Sequence, residues 1–105
     1  MSQADEQVRL NKTSEYHYQL TGSLSFNQVS PVVNLLDNAI ASANNSDVSV
    51  DLSGITHSDS AGLALLIEWL RRAKQQSVRL VFLNLPDQLH EIARISALLP
   101  ILSLE

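Results

Sequence analysis

The 105-residue sequence contains no cysteine, which removes a disulfide framework, a thiolate nucleophile and any zinc site built on sulfur. Redox chemistry by the chain itself goes with them. Charged residues make up only 17% and hydrophobic ones 45%, a balance that argues against disorder and supplies apolar side chains for one core. At ~100–200 residues per domain the length implies a single domain over residues 1–105, with residues 1–6 expected to be flexible. Long hydrophobic runs are missing too: Leu63 to Ile67 and Val78 to Leu83 fall far short of the ~20 residues a membrane span needs. Met1 to Gln7 carries Asp5 and Glu6 instead of a basic start and an apolar stretch, so no secretory leader is expected and a cytoplasmic location is. Cations are scarce, and the formal net charge of -4 disfavours non-specific binding to nucleic acid or anionic lipid. The only basic cluster, Arg71, Arg72, Lys74 and Arg79, reads as the solvated end of a helix.

What is present is a clear periodicity. Tyr16, Tyr18 and Leu20 alternate with polar residues as a half-buried strand ending at Gly22, and Val8 with Leu10 suggests a preceding strand joined to it by a turn over Asn11 to Ser14. From Asn27 a helical pattern runs through Val29, Val32, Val33, Leu36, Ala39, Ile40 and Ala43. Pro31 lies in its first turn, and Asn44, Asn45 and Ser46 end it. Val48, Val50 and Leu52 mark a third strand, about Ser60 to Gln76 a second helix, Arg79 to Leu83 a fourth strand, and Pro86 the start of a third helix; Pro100 interrupts the stretch beyond that helix. This order implies an α/β domain: a mixed sheet with an N-terminal antiparallel hairpin and parallel strands joined by crossover helices.

In such sheets functional groups gather in loops at the carboxyl ends of strands, and here that loop is Ser53 to Gly62. Ser58, Asp59 and Ser60 are all good N-cap types at the start of the second helix, where free amides and the helix dipole tolerate negative charge, including a phosphate on Ser60. A plain helix cap is the simpler reading. On the helix itself, Leu63, Leu66, Ile67 and Leu70 form the expected sheet-facing stripe, while Leu65 and Trp69 sit off it, beside Ala61, Glu68 and Arg72. The apolar arc is then about 200° wide, more than one sheet face covers, so a second surface is implied. Leu65 and Trp69 are candidates to meet a partner; the competing reading tucks Trp69 against the neighbouring helix.

Catalytic constellations are poor. His57, Ser58, Asp59 and Ser60 hold the residue types of a triad, yet sequence neighbours rarely attain triad geometry and the G-x-S-x-G elbow is missing. His17, His57 and His90 lack metal-ligand spacing, and neither G-x-x-x-x-G-K-[ST] nor G-x-G-x-x-G occurs. No catalytic residue, cofactor or metal is expected.

The run Asp51, Leu52, Ser53, then Asp59, Ser60, Ala61, Gly62, Leu63, together with Leu20, Thr21, Gly22, Ser23, Leu24, resembles the STAS domain family, the sulfate transporter and anti-sigma factor antagonist fold. Within it the sequence is most similar to the MlaB-type accessory subunit of the Mla phospholipid transporter, on Asp59 to Leu66, then Ala73, Lys74 and Gln75, and on Leu89 to Ala93 with Pro100. The resemblance implies a STAS-like domain without catalysis, held in the cytoplasm against the inner membrane by the ATPase subunit of an ABC complex with a membrane permease. That complex moves phospholipid to maintain outer-membrane lipid asymmetry. The resemblance also makes Ser60 the regulatory, phosphoacceptor-like position and implies that the loop and the helix after it meet the partner; with the helix reading above, the expected contacts are Asp59, Ser60, Ala61, Leu65, Glu68, Trp69 and Arg72. An anti-sigma factor antagonist, switched by phosphorylation of Ser60 by a partner kinase, is the alternative it implies. Antagonists usually carry acidic residues where this sequence has Ser23 and Ser25.

Overall fold

A computed structural model describes residues 7–25, 32–43 and 46–102. The expected flexible segment 1–6, the helix start at Asn27 to Pro31 and the helix end at Asn44 and Asn45 lie outside these. Strand β1 covers Arg9–Ser14 and pairs antiparallel with β2, His17–Leu24. The turn between them is Glu15 and Tyr16, not Asn11 to Ser14, because the left-handed φ of 66° at Tyr16 lets the chain reverse in two residues. Lys12 and Asn11, read as turn residues, pair with Tyr18 and Gln19 instead.

β2 also outruns its expected end. Gly22 does not stop the strand; it kinks it, with φ 106° and the register shift at Gly22/Ser23, and a Cβ there would lie 2.4 Å from the Gln7 carbonyl oxygen. Turns over 33–36 lead into helix α1, Asp37–Ser42. β3, Asp47–Ser58, is more than twice the expected length, since Gly54, Ile55, His57 and Ser58 continue parallel pairing with Thr21 to Leu24. The expected loop Ser53 to Gly62 is therefore strand up to Ser58, and Asp59 alone separates it from helix α2, Ser60–Gln75. β4, Arg79–Leu83, lies parallel to β3, and helix α3, Asp87–Ile95, begins after Pro86 as its N-cap. A 3₁₀ turn, Leu99–Ile101, comes next.

The sheet order is β1-β2-β3-β4, a mixed sheet with one antiparallel pair at its start. Alternation then assigns its faces. Val48, Val50 and Leu52 of β3 and Leu80 and Phe82 of β4 are buried with Leu20 in one core, and α2 packs on β3 and β4 while touching α1 and α3. On β3 the intervening Ser49 and Asp51 remain partly exposed on the other face, the hydrophobic-in, polar-out alternation, whereas the intervening Val81 of β4 is buried.

Candidate site at the start of helix α2

The carboxyl ends of β2 and β3 meet the first turn of α2. The Asp59 amide donates to the Leu24 carbonyl at 3.2 Å, so the strand ladder hands directly over to the helix. Asp59 is the cap: with extended backbone (φ -131°, ψ -167°), its Oδ1 accepts from the Ala61 amide at 2.9 Å. That satisfies one of the helix's open amides, the Gly62 amide donates to the Asp59 carbonyl, and the helix dipole keeps this end receptive to anions. One turn in, Gly62 packs on Leu24 so closely that a Cβ would sit 2.9 Å from both the Leu24 Cβ and its carbonyl oxygen. Behind the cap, the Ser58 amide donates to Gln88 Oε1 at 3.0 Å, which fastens the start of α3 to the same corner. The Ser23 and Ser58 hydroxyls are buried there and find no hydrogen-bond partner among the described residues.

This scaffold presents Ser60. As the first residue of α2 it is exposed, and it is not the cap; Ala61 beside it is half-buried. The sequence left three candidates for the cap, and the geometry selects the middle one.

Leu65 and Trp69 are placed otherwise than expected. They are 4% and 0% exposed, not partner-facing, and the Trp69 indole Nε1 donates to the Val33 carbonyl at 2.8 Å. The wide apolar arc of α2 does have a second surface to meet, and that surface is the chain's own segment 32–43, whose Val32, Leu36, Ala39 and Ile40 join the same core. A helix covered from two directions buries a correspondingly wider stripe. Conversely, Ile67 and Leu70, expected in the core stripe, are only partly buried.

Glu68 and Arg72 lie on the rim of that contact. Glu68 accepts from Arg71 Nε at 2.9 Å and from Arg72 Nε at 2.8 Å, and these guanidinium bonds, Arg71's first, pull its carboxyl down to about 2. Arg72 Nη1 reaches across to Asn34 Oδ1 at 2.9 Å and Asp37 Oδ1 at 3.0 Å. Arg72 thus clamps α2 to α1, and Glu68 steadies its guanidinium from the same helix. Sequence reading missed the roles of Asn34, Asp37 and Gln88, since each depends on a long-range approach that no local pattern encodes.

Among the described residues no three or more His, Asp or Glu side chains converge as metal ligands. The corner offers a hydroxyl, a dipole and a rigid shape, the means of recognition. The family model described as "Mlab, STAS domain" matches residues 8–102, nearly all of the chain. The chain belongs to the STAS domain family. Solved structures agree with this STAS fold. An anti-sigma-factor antagonist (STAS) domain protein from Planctomyces limnophilus superposes with a TM-score of 0.73 at 14% identity, covering 93% of this chain and 88% of the other. The anti-sigma factor antagonist SpoIIAA in its unphosphorylated form gives 0.68 at 17% identity over 93% and 87%. A putative anti-sigma factor antagonist from Thermotoga maritima gives 0.72 at 12% identity over 92% and 84%. No curated protein sequence matches the chain. In this STAS domain, no helix among the described residues is long and apolar enough to cross a membrane.

Proposed function

We propose that this STAS domain is a non-catalytic subunit that binds and supports the ATPase of an ABC-type phospholipid transport complex, which maintains outer-membrane lipid asymmetry. It sits on the cytoplasmic side and is peripheral to the inner membrane through that partner. The observation that carries this reading is the match of the MlaB-type family model across residues 8–102. The exposed start of α2 supplies the surface: Ser60 at its tip with Asp59 and Ala61 around it, and Glu68 and Arg72 further along the helix. Leu65 and Trp69 act from beneath, as core that fixes the helix. A folded corner held by backbone and side-chain bonds gives a pre-organised contact, which reduces the entropy lost on docking.

The test is co-expression with the ATPase and permease of such a transporter, followed by affinity purification and an ATPase assay. The STAS domain co-purifies with the ATPase and raises its turnover, and Ser60→Asp breaks the complex while leaving the fold intact. An ATPase that ignores the domain, or that binds Ser60→Asp as well as wild type, rejects the reading.

A second reading rests on one observation, the exposure of the Ser60 hydroxyl at a helix end that tolerates an anion. On it the domain is an antagonist released or captured by phosphorylation of Ser60. Incubation with an anti-sigma kinase and ATP, with mass spectrometry of the peptide holding Ser60, separates the two: stoichiometric phosphate on Ser60 favours the switch.

A further inference from the structure

Helix α2 has a second exposed feature at its far end. Between its C-terminal half and the first residues of β4 lies an open groove of about 590 Å³, within the roughly 300–1,000 Å³ of ligand clefts. Ile67, Leu70, Val78, Leu80 and Ile101 give it an apolar lining, and Ile101 is 55% exposed. Arg71, Lys74 and Arg79 stand in its walls, and among the described residues no carboxylate does. In a chain of net charge -4 with only seven Lys and Arg, this is a marked concentration of positive charge. Arg71 is engaged by Glu68 and Arg79 by Asp47, whereas Lys74 has no ion-pair partner among the described residues. Among the described residues β4 is the terminal strand of the sheet and pairs only with β3, which makes its outer side a sheet edge beside an apolar trough.

A strand edge with no partner among the described residues, next to a helix-walled apolar groove, is the geometry used for strand addition, in which main-chain bonds give affinity and the groove selects side chains. The cationic wall selects the charge. We propose that this groove takes an extended acidic–apolar segment of a partner protein, added along the outer edge of β4, with an apolar side chain on Leu70 and Ile101 and a carboxylate opposite Lys74. A flat anionic bilayer has the charge but not the shape to enter a concave trough. Fourteen residues of helix, about 21 Å, separate Lys74 from Ser60, so this surface is additional to the one proposed for the ATPase.

The probe is a short acetylated peptide alternating valine or leucine with glutamate, titrated into the ¹⁵N-labelled full chain and followed by calorimetry in parallel. Shifts confined to the second half of α2 and to residues 78–83 are expected, with Lys74→Glu weakening the peptide roughly tenfold or more. A peptide with lysine in place of glutamate binds Lys74→Glu better than wild type. Leu70→Asp abolishes binding of the acidic peptide; should that variant unfold, Lys74→Glu, at an exposed position, decides the matter alone. No binding at ~1 mM peptide, indifference to Lys74→Glu, or shifts centred on Asp59 to Ala61 overturns the proposal. So does Lys74-dependent binding to phosphatidylglycerol-containing vesicles with none to the peptide, which reassigns the groove to lipid.

Discussion

At the scale of single residues, Trp69 and Ser60 exchange the roles that spacing alone suggests. Trp69 is fully buried and donates its indole proton to Val33, so truncation to Ala removes packing and a hydrogen bond together. We expect Trp69→Ala to lose ~3–5 kcal/mol, in the same class as the ~2–5 kcal/mol of the core variant Leu66→Ala. Trp69→Phe keeps most of the ring and strips the Val33 carbonyl of its closer donor, the other being Arg72 at 3.4 Å; its loss should stay near ~1–3 kcal/mol. At the helix start, Asp59→Ala should cost ~0.5–2 kcal/mol as a lost cap, while Ser60→Ala should stay within ~0.5 kcal/mol because its exposed hydroxyl caps nothing. Urea unfolding of the five variants orders them. A large loss at Ser60 and a small one at Asp59 would return the cap to Ser60.

Elements show how far one sequence reaches and where it stops. The order of strands and helices, the sheet's mixed character, α2 to within one residue and β4 in full were legible, because each rests on local periodicity that the core confirms. The extension of β3 through Ser58 was not, since Gly54, Thr56 and His57 look like loop and become strand only by pairing with β2. Nor was the partner of Trp69: the helix pattern shows that a second covering surface is needed, but not that segment 32–43 provides it. Gly62 makes a related point about packing against propensity. Ala gains up to ~1 kcal/mol over Gly inside a helix, yet its Cβ would strike Leu24, and such overpacking costs ~1–3 kcal/mol at a contact of 2.9 Å. Gly62→Ala should therefore destabilise on balance, and a rise in melting temperature would show that α2 can shift off β2. The Glu68, Arg71 and Arg72 cluster on α2 has its own signature in pH. Glu68 falls to about 2 in the folded chain from an ordinary value of 4.5, chiefly through Arg71 and then Arg72. A carboxyl lowered on folding stabilises above its unfolded value and ceases to as pH falls through the folded one. The melting-temperature gap between wild type and Glu68→Gln should be present at neutral pH and close between about pH 4.5 and 2. A gap independent of pH would assign the effect to packing.

For the molecule as a whole, α2 is a rigid strut with different chemistry at its two ends. Its start bears an exposed hydroxyl on a corner tied to β2, β3 and α3, and its end bears cations over an apolar trough beside the sheet edge. Between them lies the fully buried span of Leu66, Trp69 and Ala73, which holds the helix to sheet and α1 alike. Substitutions more than ~7–10 Å apart without shared partners combine additively to within ~0.3–0.5 kcal/mol, and Ser60 and Lys74 stand about 21 Å apart along the helix. Ser60→Asp, favourable to the helix dipole by ~0.3–1 kcal/mol, should fold normally, disrupt the ATPase complex and leave acidic-peptide binding unchanged. Lys74→Glu should do the reverse, and the double variant should show both losses at their single-variant sizes. Peptide binding that weakens in Ser60→Asp, or a double variant whose losses fall short of the sum, would mean that the two ends belong to one contiguous interface.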